Sequence, residues 1–72
     1  MIDKKNIGKR IISLREAAGL TQQQLGEKTG ISRATLSQLE AGISGYTIAN
    51  IHAIASYFSI RLHGVILTYF IF

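Results

Sequence analysis

The sequence contains no cysteine and no proline. Without cysteine the chain forms no disulfide and no thiolate metal site, which suits a reducing, cytoplasmic environment. No apolar run approaches the roughly 18 residues that a membrane-spanning helix needs, so we expect no membrane partner. The two histidines have no further ligands at metal spacing, and no nucleophile–base pair is recognisable. We therefore expect no metal, no cofactor and no catalytic residue, and predict that the protein is not an enzyme.

Acidic residues are few, and the basic residues are concentrated near the start of the chain. The net charge is +4, and residues 1–15 hold five of the eight Lys and Arg against a single acid. A basic patch of this kind favours a polyanion as partner. Nucleic acid is the main interpretation. The alternative is an acidic membrane surface, approached by this patch together with the apolar final segment VILTYFIF.

Four helix starts share one pattern, in which a capping side chain follows an apolar residue. The capping residues are Asp3, Thr21, Ser32 and Thr47, whose side-chain oxygens can accept a bond from a first-turn N–H. Glycines follow three of the expected helices in positions that favour a left-handed backbone. The pattern predicts helices over Lys4–Ala18, Gln22–Thr29, Arg33–Ala41 and Ile48–Phe58.

The last helix is expected to turn four of its apolar side chains inward, with Ile54 partly so. These four are Ile48, Ile51, Ala55 and Phe58.

The character of the chain changes after Phe58, where β-branched and aromatic residues predict a strand over Arg61–Tyr69. An apolar strand without a partner promotes aggregation, so we expect it to pair with the same strand of a second copy. The expected division is a helical domain over 1–59 and a dimerisation tail over 60–72. Dimerisation through the last helix, or a strand received by another protein, remains an alternative. The residues predicted at the dimer interface are Val65, Ile66, Leu67, Tyr69 and Phe70.

The stretch Leu20–Gly42, LTQQQLGEKTGISRATLSQLEAG, resembles the helix-turn-helix of the lambda-repressor-like (Cro/cI, XRE-type) family. The resemblance extends from about Ile7 to Phe58. It implies an all-α domain of four to five short helices, followed here by the short C-terminal strand. In this family the first helix of the pair lies across the DNA backbone and the second enters the major groove.

Helix 3 is expected to expose one face, because its leucines point inward with Leu25 and Ile31. We call Arg33, Ala34, Ser37 and Gln38 the recognition face. Arg33 can bond guanine O6 and N7, and Gln38 can bond adenine N6 and N7. Ala34 can touch a thymine methyl group, and Ser37 can act through water. Gly26 is expected where helices 2 and 3 approach most closely.

The resemblance also implies phosphate contacts and one structural ion pair. Gln22, at the start of helix 2, would bond a phosphate with help from the helix dipole. Arg15 and Glu40 occupy positions that the family often joins by a partly buried ion pair between helices 1 and 3. The further phosphate candidates are Gln23, Ser32, Thr35, Lys4 and Lys5.

These features predict a homodimeric transcriptional regulator, a repressor that binds a near-palindromic operator in double-stranded DNA. The C-terminal strand is similar in placement to that of HipB-type antitoxins. The first alternative is therefore an antitoxin that binds operator DNA and a toxin protein. The second alternative is a protein-interaction module that has kept the fold without DNA binding.

Overall fold

Four α-helices form the fold in a computed structural model that describes the backbone of residues 3–61 and the side chains of 3–59. The structure confirms the predicted all-α class. The bounds of the second and third helices agree with the sequence prediction, and the first ends one residue earlier than predicted. The helices are α1 (Lys4–Ala17), α2 (Gln22–Thr29), α3 (Arg33–Ala41) and α4 (Ile48–Arg61).

The four predicted capping residues all accept a hydrogen bond from a backbone N–H three residues further along. The distances are 3.2 Å at Asp3, 3.1 Å at Thr21, 3.2 Å at Ser32 and 3.1 Å at Thr47. Thr21 belongs to a full capping box, because its own N–H donates to the Gln24 Oε1 at 2.9 Å. These local bonds explain why the helix starts were predictable from the sequence.

A small core of apolar side chains holds the helices together. Leu25, Leu36 and Leu39 are completely buried and lie at its centre. Helix α3 packs against both α1 and α2, and α2 also packs against α4. These leucines all point inward, as the sequence predicts. The other buried members of the core are Ile11, Ile31, Ile54 and Phe58.

Two glycines mark places where the backbones come into contact. A Cβ atom at Gly26 would lie 2.5 Å from the Ile31 carbonyl oxygen, at the predicted close approach between α2 and α3. A Cβ atom at Gly8 would lie 2.5 Å from the Glu40 carbonyl oxygen, where α1 crosses the end of α3. Any larger residue would force these backbones apart, because a carbonyl oxygen cannot yield as a flexible side chain can.

The inward face of α4 differs from the prediction. Ile48 is 90% exposed and Ala55 is also exposed, so their predicted inward positions are wrong. Ile54 and Phe58 are buried instead, with Ile51 partly buried beside them. The line through these three residues follows the helix at steps of three and four, which places Ile48 and Ala55 on its flank.

Helix α4 extends to Arg61, three residues beyond the predicted end at Phe58. Arg61 is therefore helical, and its predicted place as the first strand residue is wrong. Adding residues to an existing helix costs little, and β-propensity is a weak prior at such a boundary. The remaining predicted strand and interface residues, including Val65 and Phe70, lie outside the described residues. Within the described part of the chain, no helix is long and apolar enough to cross a membrane.

Candidate nucleic-acid interface

The recognition face forms one exposed surface of α3. Arg33, Ala34, Ser37 and Gln38 are all exposed, whereas the leucines on the other side of the helix are fully buried. An α-helix places residues at these spacings on one side, so the four side chains point away from the core together. The major groove of B-DNA admits an α-helix, and this side of α3 is open to such a contact.

The start of α2 lies beside this face. Gln22 lines a shallow concavity together with Arg33, Ala34 and Ser37. A neighbouring depression is bordered by Gln23 and Arg33 as well. The first N–H groups of a helix lack intrahelical partners and carry partial positive charge. Gln22 and Gln23, which are predicted to contact phosphate, therefore lie beside residues of the recognition face.

A partly buried ion pair joins α3 to α1 on the side opposite the recognition face. Arg15 Nε lies 2.7 Å from Glu40 Oε2, and Arg15 Nη2 donates to Glu40 Oε1 at 3.2 Å. Arg15 Nη1 also donates to the Leu20 carbonyl oxygen at 2.9 Å. The hydrogen bond with Glu40 raises the pKa of the Arg15 guanidinium, more than burial lowers it. The structure thus brings together the two residues expected to join helices 1 and 3.

Gln22 connects this ion pair to the surface. Its Nε2 donates to Glu40 Oε1 at 2.9 Å, which holds the side chain in a defined position. A carboxamide nitrogen carries two hydrogens, so one remains for a further acceptor. Gln22 can therefore serve both as a partner of Glu40 and as a donor to a phosphate.

Ser32 and Thr35 are joined at the start of α3. The Ser32 hydroxyl accepts the Thr35 N–H and donates to the Thr35 Oγ1 at 2.9 Å. The hydroxyl hydrogen of Thr35 remains available to an acceptor on DNA. The Ser32 hydroxyl already donates its hydrogen to Thr35, so Thr35 is the better placed of the two to donate to a phosphate.

The first turn of α1 lies at the C-terminal end of α3. Lys5 backbone and side-chain atoms lie within 3.2 Å of the Cβ position at Gly42, and the Lys4 ammonium lies 5.9 Å from the centre of the Tyr46 ring. The Tyr46 hydroxyl donates to the Leu39 carbonyl oxygen at 2.5 Å and lies 2.9 Å from that of Lys4. Burial raises the pKa of the Tyr46 phenol. Both predicted phosphate lysines are thus placed close to the end of α3.

A family model described as helix-turn-helix matches residues 11–65, more than half of the chain. The chain belongs to the lambda-repressor-like (XRE-type) helix-turn-helix family. None of the curated proteins and none of the solved structures matches it. As a member of the XRE-type family, the protein is a DNA-binding transcription regulator. This family consists of DNA-binding domains and not of enzymes.

Three residues of this XRE-type domain make contacts with α3 that were not predicted from the sequence. Gly8 permits the contact between α1 and α3, Tyr46 ties both helices together, and Ser44 donates to the Oε1 of Gln38. A glycine within a helical pattern is itself a signal of close approach, so Gly8 was recognisable in principle. The contacts of Tyr46 and Ser44 depend on how the α3–α4 loop folds back.

Proposed function

We propose that the protein binds a specific, near-palindromic DNA operator as a homodimer and represses transcription from it. The observation that carries this proposal is the exposed recognition face beside the start of α2. The family geometry would place α3 in the major groove and the start of α2 against the backbone. A repressor bound in this way would block the promoter by occupying it.

Within this proposal, the recognition face supplies the sequence discrimination. Arg33 is exposed at the start of α3 and is the longest donor on the face. Its guanidinium matches the two acceptors of guanine, O6 and N7. Ala34 offers a methyl group to thymine, and Ser37 offers a short hydroxyl for a water-mediated contact. Gln38 supplies the second long polar side chain.

Contacts with the DNA backbone would fix the position of α3 in the groove. The free hydrogen of Gln22 and the hydroxyl of Thr35 are suited to phosphate oxygens. Gln23 and Ser32 border the same surface near Arg33. Lys4 and Lys5 would add charge contacts beside the end of α3. Such contacts orient the protein without selecting a base sequence.

The small size of the recognition face supports the proposed dimer. One copy has only two long polar side chains for base contacts, which would discriminate few base pairs. Two copies related by a twofold axis would double that number and favour half-sites about one DNA turn apart. The tail over 60–72 is the segment that we propose to join the copies.

Selection from a random DNA pool tests the DNA proposal. We expect enrichment of sequences with two inverted half-sites, and an affinity that falls steeply as salt rises. A pool without enrichment, or an affinity that is the same for all sequences, would contradict sequence-specific binding.

Sedimentation of a chain that lacks residues 65–72 tests the dimer. We expect the full chain to sediment as a dimer and the shortened chain as a monomer. Ile48→Ser is the matched control for an interface on α4, because Ile48 is 90% exposed there. A monomeric Ile48→Ser variant, or a shortened chain that remains a tight dimer, would refute the tail as the dimer contact.

The antitoxin alternative shares the DNA-binding step and adds a toxin protein as a second partner. Co-expression with the product of the adjacent gene distinguishes the two functions. A stable complex that also binds the operator would favour the antitoxin, whereas operator binding by this chain alone, without any such complex, favours a simple repressor.

A further inference from the structure

The loop after α3 returns over the last turn of that helix. Gly42 ends α3 with a left-handed backbone, and the Ile43 N–H donates to the Gln38 carbonyl oxygen at 2.9 Å. This is the usual closure of a helix by glycine, and it directs the following residue back along the helix. Ser44 therefore lies next to the side chain of Gln38, to whose Oε1 its hydroxyl donates.

The contact gives a direction to the Gln38 carboxamide. A carboxamide has one carbonyl oxygen and one NH2 group on opposite arms of a planar group. Because the oxygen is turned towards Ser44, the NH2 group is the arm that faces away from the loop. Gln38 is exposed, so this NH2 group is available to a base.

The direction matters because bases differ in the pattern of donors and acceptors in the major groove. A glutamine that recognises adenine places its oxygen against N6 and its nitrogen against N7. Guanine offers two acceptors, O6 and N7, and therefore matches an NH2 group. A Gln38 side chain whose oxygen is engaged by Ser44 matches guanine better than adenine.

We propose that Ser44 is a positioning residue that presents Gln38 as a hydrogen-bond donor and so selects guanine over adenine at the base pair facing Gln38. The proposal rests on the proposed function, since it assigns a base preference within the same recognition face. It differs from the adenine contact that the identity of Gln38 alone predicts. Ser44 itself does not touch the base.

Random-pool selection with the full-length chain and its variants tests the proposal. Gln38→Ala identifies the position that Gln38 faces, as the one whose preference disappears. At that position, we expect the unchanged protein to prefer guanine over adenine by about tenfold, the discrimination of a good side-chain contact. Ser44→Ala releases the carboxamide, so adenine should rise to at least the level of guanine there. All other positions of the operator should keep their preferences.

Three further variants separate positioning from a general structural effect. Ser44→Thr keeps the hydroxyl and should retain the guanine preference. Adding Ser44→Ala to Gln38→Ala should change nothing more, because Ser44 acts through Gln38. Ser13→Ala makes the same change at an exposed position on α1 and should leave every preference unaltered.

The outcomes distinguish this proposal from the proposed function. If the unchanged protein enriches no sequence, the proposed function fails and this inference fails with it. If an operator emerges but adenine is preferred at the Gln38 position, or Ser44→Ala leaves that position unchanged, only the role of Ser44 is overturned. An operator that Gln38→Ala does not alter would overturn it as well.

Discussion

The two sides of α3 differ in how their polar side chains are held. On the buried side, the Glu40 side chain is only 5% exposed and accepts bonds from Arg15 and Gln22. On the exposed side, Arg33 makes no hydrogen bond to any described residue, and Gln38 is held through its oxygen alone. The buried side has satisfied its polar groups internally. The exposed side keeps donors for an external partner.

This difference indicates which measurements will respond to changes on each side. A buried charge is costly unless it is paired, so substitutions behind α3 should lower the free energy of unfolding. Exposed side chains contribute little to folding, so substitutions on the recognition face should alter DNA binding and leave stability nearly unchanged. Gln22 of α2 lies next to both sides of α3, since it contacts Glu40 and borders the recognition face.

The largest expected effect is on the buried side. Glu40→Ala leaves the Arg15 guanidinium with only the Leu20 carbonyl oxygen and removes the partner of Gln22. We expect a loss of roughly 3–5 kcal/mol in the free energy of unfolding, as for other broken buried pairs. Urea denaturation followed by circular dichroism measures it.

Glu27→Ala is the matched control, because Glu27 is exposed on α2 and forms no ion pair within the described residues. It should change stability by no more than about 0.5 kcal/mol. Equal losses in the two variants would mean that the Arg15–Glu40 pair contributes no more to the free energy of unfolding than an exposed side chain does. The proposed contrast in stability between the two sides of α3 would then be wrong.

The sequence predicted most of α2 and α3 because the determinants are local. Thr21 and Ser32 cap the helices that follow them, and Gly30 adopts the left-handed backbone that ends α2. The exposed side of α3 followed from its inward leucines, since helical geometry leaves little choice once two inward positions are known. None of these determinants depends on the rest of the fold.

The orientation of α4 could not be predicted in the same way. Its residues Ile48, Ile51, Ile54 and Ala55 are apolar on more than one side, so no single stripe defines the inward face. Packing against α2 and the core decides that Ile54 is buried and Ile48 is exposed. The contact of Ser44 with Gln38 could not be predicted from the sequence either, because it depends on the path of a loop.

A smaller effect is expected on the exposed side, and it should appear only in DNA binding. Arg33→Ala should weaken binding to the selected operator by roughly 1–3 kcal/mol and relax the preference at one base pair. Fluorescence anisotropy with operator variants at each position measures both quantities. The free energy of unfolding should remain close to that of the unchanged protein.

Arg10→Ala removes the same charge from an exposed position on α1 and serves as the control. It should weaken binding to every DNA sequence by a similar factor. If Arg33→Ala also lowered affinity equally on all sequences, Arg33 would be a charge contact and not a base contact, and the exposed side would lose its principal discriminating residue.

The smallest expected effect is at the C-terminal end of α3, where Lys5 of α1 packs beside Gly42. Lys5→Gln removes one charge next to the end of α3 without altering the recognition face. We expect the slope of log affinity against log salt to decrease in magnitude by about 1, with an unchanged order of preference among sequences. Lys28→Gln makes the same substitution in the last turn of α2, at the opposite end from Gln22, and should change the slope less. A larger effect of Lys28→Gln would place the DNA backbone at the C-terminal end of α2. This result would contradict the proposed contact between the start of α2 and the DNA backbone.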